Sequence, residues 1–147
     1  MKTHMPNGER GQAMVETAIA LPLLLVMMVG IFEVGRAYET WQVLTNAARE
    51  GARMSVTPSG TPSNTTALVR QYMADGALKN SATAAVIVNK GASITVNGNA
   101  ISASAITVDY PFEFIMLGPV LRLVAPSTTA GGAITMHATA IMRNEAP

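Results

Sequence analysis

From Thr17 to Phe32 the chain carries no charge at all. A helix over that run covers roughly 24 Å at about 1.5 Å per residue. This falls short of the about 30 Å of bilayer hydrocarbon. Gln12 to Val15 add mostly apolar length on one side, and Glu33 and Arg36 on the other can reach out to water from apolar stems. The pattern predicts one membrane helix spanning about residues 14–34. Pro22 lies inside it, which lipid-embedded helices tolerate, usually with a kink. Met1 to Gly11 is polar, and Pro6 and Gly8 argue against an ordered helix there.

The helical pattern continues past the apolar run. Between Glu33 and Met54 a stripe recurs at spacings of three and four: Val34, Tyr38, Trp41, Thr45, Ala48, Ala52. Glu39, Arg49 and Arg53 fall largely off it. A helix from Ala13 to Met54 would be roughly 60 Å long, more than a simple anchor needs. Two readings of Tyr38 and Trp41 stand side by side: an interfacial aromatic belt, or packing against a globular head.

Ser55 to Thr66 is rich in Ser, Thr, Pro and Gly and reads as a loop. It contains a glycosylation-type Asn64-Thr65-Thr66, for which a plain loop is the simpler account. A short amphipathic helix follows, with Leu68, Val69, Tyr72 and Met73 on one face. Asn64 or Thr65 would cap it and Gly76 would end it. The period then becomes two. Ala84–Asn89, Ser93–Ser102 and Ala105–Tyr110 read as strands, with Asn97-Gly98 as a tight hairpin turn. In Ala133–Met142, Ile134, Met136, Ala138, Ala140 and Met142 share one face. Thr135, His137, Thr139 and Ile141 share the other. The apolar, Pro-broken stretch between these strands reads as a long connection with a Ser/Thr/Gly tip. The expected fold class is α+β: a long N-terminal transmembrane and amphipathic helix followed by a small antiparallel β-sheet head.

Composition sharpens this reading. Of 147 residues 13% are charged and 49% hydrophobic, which is apolar for a soluble protein and suits a chain partly in lipid. The net charge of +1, without a basic patch, gives no reason to expect nucleic acid as a partner. There are no cysteines, so disulfides and thiolate metal sites are excluded. The histidines are His4 and His137, and Asp75 and Asp109 have no partner at a catalytic spacing. Neither a catalytic residue, a metal site nor a cofactor is expected.

One charge needs an account. Glu16 sits at the edge of the apolar run, where a charge deep in lipid costs about 2.5–3.5 kcal/mol or more. It is the fifth residue after Gly11, behind a short leader carrying Lys2 and Arg10. Gly, four residues, Glu, then an apolar helix resembles the processing site of type IV prepilins and pseudopilins. There the leader is cut after the glycine on the cytoplasmic side. A cut between Gly11 and Gln12 would create an amine at Gln12, and the Glu16 carboxylate could neutralise it within one subunit or between neighbours. The carboxylate would also lie in the first helical turn, where the helix dipole favours negative charge. Other readings remain. Glu16 could mark the polar end of an ordinary anchor, with Gly11 a hinge. A secretory signal would need a small-residue cleavage site after the run, which Phe32–Glu39 offers only poorly.

The wider stretch Gly11–Arg53 resembles the N-terminal signature of the TadE-like family. The matching elements are Gly11, Val15-Glu16, Leu21-Pro22-Leu23-Leu24, Gly30, Glu33, Gly35-Arg36-Ala37 and Asn46-Ala47-Ala48-Arg49-Glu50-Gly51-Ala52-Arg53. Further similarity lies in Tyr110, Phe112, Phe114, Pro119 and an end at Met142, Arg143 and Glu145. Thr17 stands where the family often has an aromatic residue. The resemblance implies a minor pilin or pseudopilin of the tight-adherence system, a structural subunit rather than an enzyme. That system builds Flp pili for surface adhesion and biofilm formation. The implied partners are a prepilin peptidase, other pilins or pseudopilins, the inner-membrane assembly platform and the lipid bilayer. The implied layout is a leader at 1–11, a long helix at 12–54 and a periplasmic head at 55–147. It would cross the bacterial inner membrane once, N-terminus in the cytoplasm and head in the periplasm, and could be incorporated in the pilus. The rival reading is a permanently anchored periplasmic scaffold or binding protein that is never cut.

Overall fold

The computed structural model describes residues 7–124, 127 and 131–144. Lys2, His4, Glu145 and part of the Ser/Thr/Gly tip, Thr128 to Ala130, lie outside the described residues. The element order is α1 (Asn7–Ser55), α2 (Pro62–Asp75), β1 (Ala85–Val96), β2 (Asn99–Phe112), α3 (Leu117–Val124) and β3 (Ile134–Arg143). The fold is α+β, a long apolar N-terminal helix followed by a three-stranded antiparallel sheet in the order β1-β2-β3. The chain divides into two compact units. One holds the chain up to Gly35 together with Phe114–Gly132; the other holds Arg36–Glu113 and the chain from Ala133 onward.

The first unit contains the apolar part of α1, and α3. α1 starts at Asn7, ahead of the expected beginning, and passes through Gly8 and Gly11. Extending an existing helix adds one hydrogen bond per residue fixed. A glycine weakens it by only about 1 kcal/mol relative to alanine, too little to stop it. The stretch expected to be an irregular connection contains α3 instead. Pro119 falls in its first turn, where a missing N–H forfeits no intrahelical bond. The Val120 N–H donates to the Met116 carbonyl at 3.1 Å and closes that turn.

The second unit packs the later part of α1 with α2 and the sheet. Its α1 face is Thr40, Leu44, Ala47, Ala48, Gly51, Ala52 and Ser55, all buried. The expected stripe is therefore correct at Ala48 and Ala52 and rotated elsewhere, because Val34, Tyr38 and Trp41 are exposed. Small side chains decide the direction: at Gly51 the helix comes against Val69 of α2 and Ile106 of β2. Full burial of side chains such as Leu44 and Val69 contributes about 1.5–3 kcal/mol each.

α2 is capped by Thr61, not by Asn64 or Thr65. The Asn64 N–H donates to Thr61 Oγ1 at 3.2 Å, and Pro62 occupies the first turn. The Asn64 side-chain amide donates to the Ser59 carbonyl at 3.1 Å, so the Asn64-Thr65-Thr66 triplet lies in a helical turn and not in a loop. At the other end Gly76 is the C-cap, as expected, but its φ of −77° is right-handed. Its lack of a side chain serves Val43, whose Cγ1 would stand 2.6 Å from an added Cβ. The left-handed position falls to Ala77, with φ 59°. The Leu78 N–H donates to the Met73 carbonyl at 3.0 Å and the Ala77 N–H to the Ala74 carbonyl at 2.9 Å, which makes a Schellman motif.

The hairpin turns at Asn97 and Gly98, both with positive φ (52° and 80°), as an Asn-Gly pair between two strands leads one to expect. The runs read as separate strands are joined. Ala85–Asn89 and Ala92–Val96 form β1 across a register shift, and Asn99–Phe112 is continuous. At the shift the Gly91 N–H donates to Asn89 Oδ1 at 3.0 Å. Ile106, Val108, Tyr110 and Phe112 of β2 supply the buried face. Val108 pairs with Ala138 and Ile106 with Ala140, so β3 presents its small even-numbered residues inward and His137, Thr139 and Ile141 outward. Two polar links tie the chain end to the sheet. Ser104 Oγ donates to Asn144 Oδ1 at 2.7 Å, and Asn144 Nδ2 donates to Ser102 Oγ at 2.7 Å.

Candidate functional site

The N-terminal part of α1 is an apolar surface left uncovered by the described residues. Met14 and Ile19 are 74% and 72% exposed, and Leu23, Leu24, Met27, Met28 and Ile31 are exposed with them. Exposing so much aliphatic surface to water is unfavourable by about 25 cal/mol per Å². Lipid removes that penalty, and a helix keeps every backbone hydrogen bond internal while crossing it. Among the described residues one helix, at the N-terminal end, is long and apolar enough for a membrane crossing.

Gly11, Gln12 and Glu16 lie together on this helix, all exposed. Gln12 and Glu16 are four residues apart and therefore neighbours on one face. Nothing lies within 4 Å of where a Gly11 side chain would be, so a side chain there would meet open space. Thr17 turns its hydroxyl inward and donates to the Ala13 carbonyl at 2.8 Å, which masks its polarity in an apolar setting. Pro22 removes one donor from the ladder within the same run.

At the far end of the run the structure departs from the expected solvent reach of Glu33 and Arg36. Glu33 is fully buried, and its Oε1 accepts hydrogen bonds from the N–H groups of Ile115 at 2.8 Å and Met116 at 2.6 Å. These donors stand just ahead of α3, where a carboxylate also meets a favourable helix dipole. Arg36 is half-buried, its guanidinium 5.1 Å from the centre of the Phe112 ring. Neither partner was legible in sequence: the Glu33 bonds link residues 82 and 83 positions apart. Tyr38 and Trp41 are exposed with ring centres 6.3 Å apart, which suits the interfacial belt and not packing against a head.

The residues Ala47-Ala48 and Gly51-Ala52 form the packed face of α1, while Arg49, Glu50 and Arg53 stay off it. Arg53 Nε donates to Glu50 Oε2 at 3.0 Å, and this hydrogen bond holds the Glu50 carboxyl below its ordinary range. Asp109 and His137, expected to stand alone, meet across β2 and β3, with Oδ1 and Nδ1 2.7 Å apart on the solvent face. Beside them Thr107 and Thr139 pair their hydroxyls at 3.1 Å. These cross-strand pairs staple the sheet. Among the described residues no group of three or more His, Cys, Asp or Glu could hold a metal ion.

No curated protein and no solved structure matches the chain. The N-terminal region, residues 11–53, is similar to the family model described as TadE-like protein, and the matched stretch ends with the small-residue packing face of α1.

Proposed function

We propose that the chain is a minor pilin- or pseudopilin-like subunit acting in assembly of Flp-type tight-adherence pili. The observation that carries the reading is the coincidence of the TadE-like match with an exposed apolar helix over the same residues. In this reading a prepilin peptidase cuts between Gly11 and Gln12 on the cytoplasmic face. Residues 1–11 are the leader, 12–54 the helix that stays in the membrane, and 55–147 the periplasmic head. Lys2 and Arg10 hold the leader in the cytoplasm.

The new amine at Gln12 is cationic at neutral pH, and Glu16 is its nearest carboxylate on that face. Pairing offsets the cost of a carboxylate in lipid. Between neighbouring subunits it would also set register. Other pilins or pseudopilins and the inner-membrane platform are the partners this role requires. A head with its own sheet and buried core gives neighbours a folded surface to recognise.

A second reading, a permanently anchored scaffold that is never cut, is favoured by the unbroken helix across Gly11 and Gln12. Intact mass of membrane-purified protein from cells with an active prepilin peptidase separates the two. The first reading expects a chain beginning at Gln12. Full retention of Met1–Gly11 would establish the second.

A further inference from the structure

We propose that the segment from Ile115 through α3 is a second membrane-contacting element, lying in the interface of the bilayer that α1 crosses and fastened there by Glu33. The inference rests on α1 being a membrane helix. It adds a contact which the family match, ending at Arg53, does not cover.

Position comes first. Glu33 closes the charge-free run that ends at Phe32, so it marks the level at which apolar helix meets polar surroundings. Its carboxylate holds the Ile115 and Met116 amides at 2.8 and 2.6 Å. Both residues are thereby held within one side chain's reach of that level. A carboxylate at this depth would be costly if bare. Two N–H donors and the N-terminus of α3 replace the water it gives up.

Surface comes second. Ile115 and Met116 are 54% and 49% exposed although their backbone is pinned. On α1, Ile31, Phe32 and Val34, the immediate neighbours of Glu33, are exposed as well. The apolar surface of the membrane helix thus continues onto the segment before α3. In α3 itself Leu117, Val120 and Leu121 are half-buried, while Arg122 in the last turn is exposed. Apolar side chains at the acyl boundary with a basic group at headgroup level are what an in-plane helix needs to bind an anionic bilayer. A protein partner would need a reason for this surface to sit at the end of a membrane span, whereas the bilayer is already there.

The chain has no cysteine, so single cysteines report position cleanly. Full-length Phe32→Cys, Ile115→Cys, Met116→Cys and Ile87→Cys variants would carry an environment-sensitive fluorophore. They would be reconstituted into phosphatidylcholine–phosphatidylglycerol vesicles containing headgroup- or acyl-nitroxide lipid. Ile87 is an exposed residue of β1 and serves as the head control. The expected result is quenching at 115 and 116 several-fold above that at 87 and comparable to that at 32, strongest with the shallow nitroxide.

Adding Glu33→Leu, which removes the acceptor, should bring quenching at 116 down to the head level and leave position 32 unchanged. Glu33→Gln, whose amide oxygen still accepts, should retain most of it. Quenching at 32 without quenching at 115 and 116 would overturn the inference and leave the membrane helix standing. No quenching at any position would overturn both. Undiminished quenching at 116 in Glu33→Leu would overturn the fastening role of Glu33.

Discussion

Gly51 of α1 lies so close to Val69 of α2 that a methyl group added to it would stand 2.5 Å from Val69 Cγ2 and 3.4 Å from Ile106 Cγ2. This glycine belongs to the segment in which α1 meets both of its packing partners. It gives a physical meaning to a run of small residues, Ala47-Ala48 and Gly51-Ala52, that spacing alone leaves unexplained.

Gly51→Ala is therefore expected to destabilise the folded unit by about 1–3 kcal/mol, the usual cost of overpacking. Valine is stiff at its side-chain torsion and cannot swing its methyl aside. On an exposed stretch of helix the same change would stabilise by about 1 kcal/mol, so the sign is diagnostic. Thermal melting of the full chain in detergent, followed by circular dichroism, measures it; an unchanged or raised midpoint would contradict the close packing.

Ala77 occupies the left-handed position of the Schellman motif after α2. A left-handed conformation costs a residue with a Cβ roughly 1–2 kcal/mol, and glycine is free of it. Ala77→Gly also loosens the unfolded chain, which returns about 0.4–1 kcal/mol of the gain. A net stabilisation of up to about 1.6 kcal/mol is expected, seen as a higher denaturation midpoint in the same melt. A lower midpoint would mean that Ala77 is not held with positive φ.

Thr65 is buried on α2 and its hydroxyl makes no hydrogen bond to the described residues. Burying a hydroxyl without a partner costs about 1–3 kcal/mol on mutational scales. Thr65→Val keeps the shape and removes that group, so stability should be equal or higher by about 1 kcal/mol. Thr65→Ser keeps the hydroxyl and opens a void beside Gly51, so it should be less stable than either. The order Val, Thr, Ser in chemical denaturation checks this; Val as the least stable would show that the hydroxyl has a partner.

Replacing Gly11 by leucine should block removal of the leader if a prepilin peptidase acts at Gly11–Gln12. The surroundings of Gly11 are open, so the side chain would trouble the protease and not the fold. In cells with an active peptidase, Gly11→Leu protein should stay at full-length mass in the membrane fraction while the parent is shortened. Equal masses for the two would remove the proposed cut.

Glu16 should matter for assembly more than for insertion. Glu16→Ala relieves lipid of a charge worth about 2.5–3.5 kcal/mol at the bilayer centre, so membrane levels should hold or rise. Register with neighbouring helices should fail, because the carboxylate proposed to pair with the new amine would be gone. Glu16→Asp keeps the charge with a shorter reach and should give an intermediate pilus yield. Normal pilus yield from Glu16→Ala, at normal processing, would return Glu16 to the status of a helix-end flank.

The apolar run, the Asn97-Gly98 turn and the alternation of β3 were all legible in the sequence. Each follows from local chemistry: sixteen uncharged residues favour lipid wherever they occur, two residues with positive φ turn a chain back on itself, and a period of two makes a two-faced strand. The end of α2 at Gly76 was legible too, though for a different reason. What was missed depended on partners far along the chain. Val34, Tyr38 and Trp41 fit a stripe by spacing, yet spacing fixes only a period and leaves the buried direction open. The approach of Val69 and Ile106 to Gly51 chose that direction.

The same distinction holds at the candidate site. Gly11, Gln12 and Glu16 are close in sequence, so their common helix follows from local rules alone. Glu33 reads locally as a charge that would reach for water. Only folding brings the Ile115 and Met116 amides to its carboxylate and lets it stay buried. Asp109 and His137 likewise become partners only through the β2–β3 register. Sequence by itself determined where the chain is apolar, where it turns and which period each element follows, because those are properties of neighbouring residues. Tertiary structure alone decided which polar groups find partners and which face is buried, because those depend on what distant segments bring to the same place.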